Sequence, residues 1–219
     1  MTPYQMFNPP CSLDFRNMSK AEIEFYFNWF MERLPSRIEM LESTVRGMSF
    51  PQWSADCTKC SLQNLGEWYA GQIRTEPRSI EEQTQLANTN PMAPANDLSW
   101  KLTNLTYSYA VDVGIYMAET LRHQFEFLRW EPMLKDKKDT DYGQAVLIGV
   151  GQVPLNPVAI MITLAWGIAR KTYSSSRLSE LYSFWAEILA NETDGQVPGI
   201  PLSHLPPRRG LRRTNRRKG

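Results

Sequence analysis

The stretch Leu98–Glu131, LSWKLTNLTYSYAVDVGIYMAETLRHQFEFLRWE, decides how the chain folds. Leu102, Leu105, Tyr109 and Tyr116, with a second row of Val113, Met117 and Leu121, recur at helical spacing. Two apolar rows make a broad surface, so this helix is expected to be largely buried, with Ser99 as its N-cap and a short strand after it. Within that surface lie Asp112, Tyr116, Glu119 and His123. At about 100° per residue, Asp112 and Glu119 differ by roughly 20° around the axis, and His123 falls close to both.

Carboxylates on a core helix need an explanation, because an unpaired buried one costs several kcal/mol. Two readings stay open. In one, Asp112 and Glu119 are structural acids, satisfied by tyrosine, tryptophan or backbone donors of a neighbouring element. In the other, Asp112, Tyr116, Glu119 and His123 line a cleft and meet a ligand or partner. Seven residues rise about 10 Å along a helix, too far for the two acids to share a proton and awkward for one metal ion. Glu119 and His123, four apart, are a weak pair on their own, and the only other histidine is His204. No metal site, no cofactor and no catalytic residue set is expected.

Outward from this helix, 219 residues are enough for one ordinary domain with a real core. The net charge of +1 hides an asymmetry. The end of the chain, PPRRGLRRTNRRKG, carries Arg208, Arg209, Arg212, Arg213, Arg216, Arg217 and Lys218 and no acid. Without those seven, 17 basic side chains face 23 acidic ones, a net of −6. The body is therefore acidic and the tail basic. Such a tail is expected to be disordered, and its chemistry suits weak binding to nucleic acid or another anionic surface through phosphate contacts.

Three cysteines, Cys11, Cys57 and Cys60, together with no secretory signal, point to a reducing compartment and a cytoplasmic location. Cys57-Thr-Lys-Cys60 is a single C-x-x-C with no second pair, a weak metal or redox pattern. Tyr142 to Ala169 lacks any charge, but Gln152, Pro154, Asn156 and Pro157 interrupt it, leaving about a dozen apolar residues where a bilayer needs ~20. No membrane span is expected.

Before the central helix, Ser19 and Glu22 form a capping box for a helix carrying Ile23, Tyr26, Phe27, Phe30, Met31 and Leu34 on one stripe. Pro35 predicts a kink or restart, and Gly47 a stop. A second helix, capped by Asp56 or Thr58, buries Leu62, Leu65, Trp68 and Tyr69, and Ser79 with Glu82 starts a short polar one. Asn88 to Asn96 reads as loop. After the central helix, Leu128–Glu131 and Ala145–Val150 read as strands that pair as a hairpin around a charged loop. Pro157 starts a core helix, and Arg177–Asn191 is a last amphipathic one. The expected organisation is an irregular segment over 1–18, one globular domain over 19–192, and a linker with the basic tail over 193–219. The fold class is α+β, predominantly helical, with several helices packed around a long central helix and a small sheet of two or more strands.

Several of these pieces together resemble an uncharacterised bacterial family of about 200 residues. They are Tyr26-Phe27-Asn28-Trp29-Phe30 with Pro35 and Arg37-Ile38, Ser61-Leu62 leading to Glu67-Trp68, Arg129-Trp130, Gln144-Ala145-Val146-Leu147 and Pro157. The most specific is Asp112-Val113-Gly114-Ile115-Tyr116-Met117-Ala118-Glu119, an Asp-x-Gly-x-Tyr-x-x-Glu pattern. Ala118 departs from it, since the family has glycine there. The resemblance spans about residues 19–191 and supplies no reaction. Small acidic bacterial proteins of this kind are similar to immunity proteins, which bind and block a cognate toxin. The expectation is a non-enzymatic interaction protein, with a toxin-like protein as partner. The alternatives are an enzyme or small-ligand binder using the Asp112 face, and a nucleic-acid binder using the tail.

Overall fold

The computed structural model describes residues 3–89, 98–149 and 154–193. Its centre is a helix that starts later than Ser99 suggests. Thr103 is the N-cap, its side chain accepting the N–H of Thr106, and the helix runs Asn104–Gln124. The residues before it, Trp100–Leu102, form a strand (β2) paired antiparallel with Thr75–Pro77 (β1). Ser99 fails as a cap because the chain there is extended and bonded sideways: its carbonyl accepts the N–H of Arg78, and the Thr103 N–H donates to Arg74 O. A three-residue strand with no apolar alternation carries little signal in sequence, which is why β1 was not anticipated.

Around the central helix, numbered α4, stand α1 (Lys20–Met48), α2 (Lys59–Gln72), α3 (Ile80–Thr89), α5 (Pro157–Ala169) and α6 (Arg177–Thr193). The second two-stranded sheet pairs β3 (Arg129–Pro132) with β4 (Ala145–Ile148), antiparallel, as the expected hairpin. The fold is α+β and predominantly helical. Among the described residues, no helix is long and apolar enough to cross a membrane.

Local chemistry accounts for the boundaries. The Ser19–Glu22 capping box is formed in both directions, and so is the Ser79–Glu82 one. Thr58 caps α2, and Asn156 caps α5 ahead of Pro157. Pro35 does not end α1, which continues through it. Pro35 and Ser36 are exposed between buried Leu34 and buried Arg37, so the missing hydrogen bond falls on the wet side. The Ser36 hydroxyl donates to Arg33 O at 3.0 Å.

Ala110 to Ala118 of α4 are all buried, and the most extensive contact of this helix is with α5. Gly114 sets that crossing. A Cβ there would sit 2.9 Å from Pro157 O and 3.0 Å from Val158 Cα, both backbone atoms of α5. Neither can rotate aside, so the helices pack this closely only over glycine. Elsewhere Tyr69 of α2 donates its hydroxyl to Met161 O of α5 at 3.1 Å, and Tyr182 of α6 donates to Gln124 Oε1 at 2.5 Å.

Residues 3–18 are irregular in backbone, as expected, but they belong to the core. Tyr4, Phe7, Cys11, Phe15 and Met18 all pack against it. We call this segment the strap.

The Gly114 contact has a measurable consequence. Gly114→Ala is expected to lower stability by about 1–3 kcal/mol, the usual cost of overpacking a site that cannot yield. Gly71→Ala, in α2, places a Cβ with nothing within 4 Å and is expected to be neutral or stabilising by about 0.5–1 kcal/mol. Urea midpoints of the two variants decide the matter, and equal midpoints would mean the α4–α5 crossing is looser than described.

Candidate functional site

Three of the four polar residues singled out on α4 each meet a different neighbour, and the fourth, His123, is exposed. Asp112 is fully buried and faces α1 and the strap. Arg37 of α1 grips it with two prongs, Nε to Oδ1 at 2.6 Å and Nη2 to Oδ2 at 2.7 Å. The Tyr4 hydroxyl donates to Oδ2 at 2.6 Å and accepts from Arg37 Nη2 at 2.8 Å. The remaining prong, Arg37 Nη1, donates to Gln5 O at 2.7 Å. The guanidinium carbon also lies 5.3 Å from the Tyr4 ring centre and 5.9 Å from that of Phe7.

Burial pushes the Asp112 carboxyl up from its ordinary range, against the Arg37 hydrogen bonds and charge and the Tyr4 hydroxyl. Burial would lower Arg37, but the Asp112 hydrogen bonds and charge outweigh it and hold the guanidinium up. Tyr4 is pushed far up, by burial first and then by the Asp112 charge. Three donors converge on two carboxylate oxygens, so the anion is the form this pocket is built to hold. Fully buried and held by both partners, this acid is closed to a substrate.

Tyr116, one turn on, faces the start of α2. Its hydroxyl accepts the Cys57 N–H at 3.0 Å and shares a 2.6 Å hydrogen bond with Ser61 Oγ. The same spot is closed by Trp53, whose Nε1–H donates to Ser61 O at 2.9 Å and whose ring meets Tyr116 edge-on. Cys57 has φ of +57°, and the Tyr116 bond helps hold that left-handed turn into α2. Glu119 faces the hairpin, accepting Trp130 Nε1–H at 2.7 Å and Arg122 Nη1 at 2.8 Å. His123 is exposed. The helix therefore brings none of the four to a common space. It uses three of them to fasten three different elements to one axis. The arginines proposed for nucleic-acid contact, Arg208 to Arg217, lie outside the described residues.

Among the described residues, no group of three or more His, Cys, Asp or Glu side chains is placed to hold a metal ion. Cys57 and Cys60 are free thiols, and burial pushes Cys57 up, away from the thiolate form that redox work needs.

The concave feature near Asp112 was not anticipated from sequence. A cavity of about 460 Å³ opens between the strap, α1, α4, α5 and β4. Phe7, Phe15, Tyr26, Phe30, Tyr107 and Val111 give it aromatic and aliphatic walls. Ser108 of α4 anchors the strap side by accepting the Phe7 N–H at 2.5 Å. On the opposite wall Asn156 donates to Asp141 Oδ1 and Gln144 Oε1, at 2.9 and 3.0 Å, while its own oxygen caps Ala159 N–H. Burial pushes the Asp141 carboxyl up, opposed by that Asn156 bond. Phe15 closes over Gly143, whose φ of +79° and lack of a Cβ admit the ring. The cavity's residues come from five separate elements, so only Ser108, a small polar residue on an otherwise apolar helix face, hinted at it.

No family model, no curated protein and no solved structure matches the chain.

The Arg37–Asp112–Tyr4 cluster is a test of the structural reading of the acid. Asp112→Asn strands a buried guanidinium and is expected to cost about 3–5 kcal/mol. Replacing both partners, Arg37→Met with Asp112→Leu, is expected to cost clearly less than the two single changes together. Tyr4→Phe removes a hydrogen bond to a charged group and should cost about 1.5–3 kcal/mol, with faster proteolytic cleavage within the strap. Chemical denaturation of the five variants, the two single changes included, gives the energies. Strict additivity, or an Asp112→Asn protein as stable as the parent, would remove the cluster from its structural role.

Proposed function

We propose that the protein works by binding a macromolecular partner, with the outer face of α5 as the contact surface. One observation carries this. The sequence of α5, PVAIMITLAWGIA, holds no charge, yet only one side of it is buried. Pro157, Met161, Leu164, Ala165 and Gly167 point inward. Ala159, Thr163 and Trp166 fall on the opposite arc at 100° per residue and are only half-buried, while Val158 and Ile162, at its edge, line the cavity beside the strap. A helix apolar all round belongs inside a structure, and one left half open marks a surface meant to be covered. Trp166 reinforces the point: its ring stacks on Trp100 at 4.7 Å and carries Arg170 over it at 5.1 Å, an anchored aromatic of the kind that dominates contact energies.

The acidic body supports the same reading. A net charge near −6 outside the tail steers a basic partner and speeds its encounter. Bacterial immunity proteins, which bind and block a toxin, are the class whose chemistry this pairing of acidic body and apolar patch best matches. Three free cysteines fit work in a reducing, cytoplasmic setting. The basic tail is a second, separable contact for an anionic surface.

Ala159→Glu is the change to make. Ala159 lies in the first turn of α5, where an acid is favoured by the helix dipole, so folding should be unaffected. The expected result is a stoichiometric protein partner held by the full chain and by a form ending at Pro207, and lost from Ala159→Glu at an unchanged urea midpoint. Retention by Ala159→Glu would move the interface elsewhere. Retention of nothing but nucleic acid, and only with the tail present, would end the partner reading for the body.

A further inference from the structure

The cavity beneath the strap lies beside the α5 face and has its own chemistry. About 460 Å³ is within the range of sites for small organic molecules and far above the voids that side-chain packing leaves. Its shape comes from rings. Phe7, Phe15, Tyr26, Phe30 and Tyr107 contribute aromatic surface, and Phe7 with Phe30 and Phe15 with Tyr26 are already locked edge-on at 6.3 and 5.1 Å. Walls fixed in this way favour a flat guest that slides between ring faces over a branched aliphatic one.

Its polarity is as specific as its shape. Among the described residues that line it, none carries a charge. The buried pair Arg37 with Asp112, behind the strap, is taken up by its own partners, and the Asp141 carboxylate is taken up by Asn156. Asn156 and Gln144 spend their amides on each other, on Asp141 and on the loop: Gln144 Nε2 donates to Thr140 O at 3.1 Å. The amides of Asn8 and Asn104, both exposed, stand at the rim. A charged guest would lose its hydration with no counter-charge to replace it, whereas an uncharged one with a polar end would keep that end at the rim.

We infer that the cavity between the strap, α4 and α5 is a binding site for an uncharged, flat, largely apolar small molecule of about two fused rings. The guest is held by ring contacts with the polar end at Asn8 and Asn104. The strap is its outer wall. That wall is positioned before any guest arrives, by Tyr4 and Gln5 on Arg37–Asp112 at one end and by Phe15 on Gly143 at the other. The site does not depend on the α5 contact surface being a protein interface.

The probe is 6-propionyl-2-(dimethylamino)naphthalene, a neutral two-ring fluorophore whose emission shifts to the blue in apolar surroundings, titrated into the full chain. Saturable one-to-one binding with a blue shift is expected. Val111→Trp and Ile162→Trp each place an indole in the cavity from a different wall, and each is expected to weaken binding at least tenfold. The anionic naphthalene probe 8-anilinonaphthalene-1-sulfonate is expected to bind the same site at least tenfold more weakly, and to fail to displace the neutral one. Absence of saturation overturns the inference. So does unchanged affinity in a tryptophan variant whose urea midpoint matches the parent, and so does equal affinity for the sulfonate. If neither variant folds, nuclear Overhauser contacts in the unmodified chain decide. Contacts from the probe's ring protons to the methyls of Val111, Val158 and Ile162 support the site, and their absence removes it.

Discussion

Asp112 is the constraint on which the rest of the architecture depends. Placing a carboxylate in the middle of the most buried helix obliges the chain to bring a guanidinium and a hydroxyl to it, and these come from two different elements. Arg37 lies near the middle of α1, so answering Asp112 sets the position of α1 along α4. Tyr4 lies in a segment with no secondary structure of its own. Without Asp112 that segment would keep the Phe7 N–H bond to Ser108 and its ring contacts, and rings slide. The cost of desolvating the pair is large, and exchanging such a pair for apolar residues of similar volume often costs little. What the ions add is position. A directional cluster has one geometry, whereas an apolar contact has many.

The same logic recurs down α4 with milder chemistry. Tyr116 answers the turn into α2 and Glu119 answers Trp130 in the hairpin. In this way successive turns of one helix address the strap and α1, then α2, then β3. The polar residues on that helix are addresses for neighbouring elements. The glycine between the first two addresses, Gly114, does the reverse and removes a side chain so that α5 can come close. Polar fasteners on one side and a close apolar crossing on another leave α5 with an outer arc, Ala159, Thr163 and Trp166, that is only half-buried.

Much of this was legible in the sequence, for reasons that differ between elements. The helices from Ser19, Thr58, Ser79 and Pro157 follow from caps and apolar spacing, which act within a few residues of each other. The hairpin follows from two short strand-like runs, Leu128–Glu131 and the apolar run from Ala145, on either side of a charged loop. The start of α4 was misplaced by four residues, because Ser99 and Thr103 are both good caps and only the pairing of Trp100–Leu102 with Thr75–Pro77, over 20 residues away, chooses between them. Asp112, Tyr116 and Glu119 stand out in sequence as polar groups on a core helix, whereas His123 is exposed. The partners of the three do not stand out, because Tyr4 is 108 residues from Asp112 and Cys57 is 59 from Tyr116. Angular proximity on a helical wheel was also misleading. Residues one and two turns apart share a bearing but lie at different heights, and each height meets a different neighbour.

The strap shows what sequence reading most easily undervalues. Residues 3–18, with three prolines and no periodicity, look like a segment to discard, yet they close one side of the cavity and supply the hydroxyl that completes the Asp112 cluster. Those two roles are physically linked. The Phe7 N–H that bonds Ser108 and the Phe7 ring that walls the cavity belong to one residue, three positions from Tyr4. A shift of Tyr4 off Asp112 therefore moves the aromatic wall as well, so the shape of the cavity is set by an ion pair that does not line it. A single buried carboxylate thus fixes the position of α1 and the geometry of a site one helical turn away on the same helix, and it does so without taking part in binding.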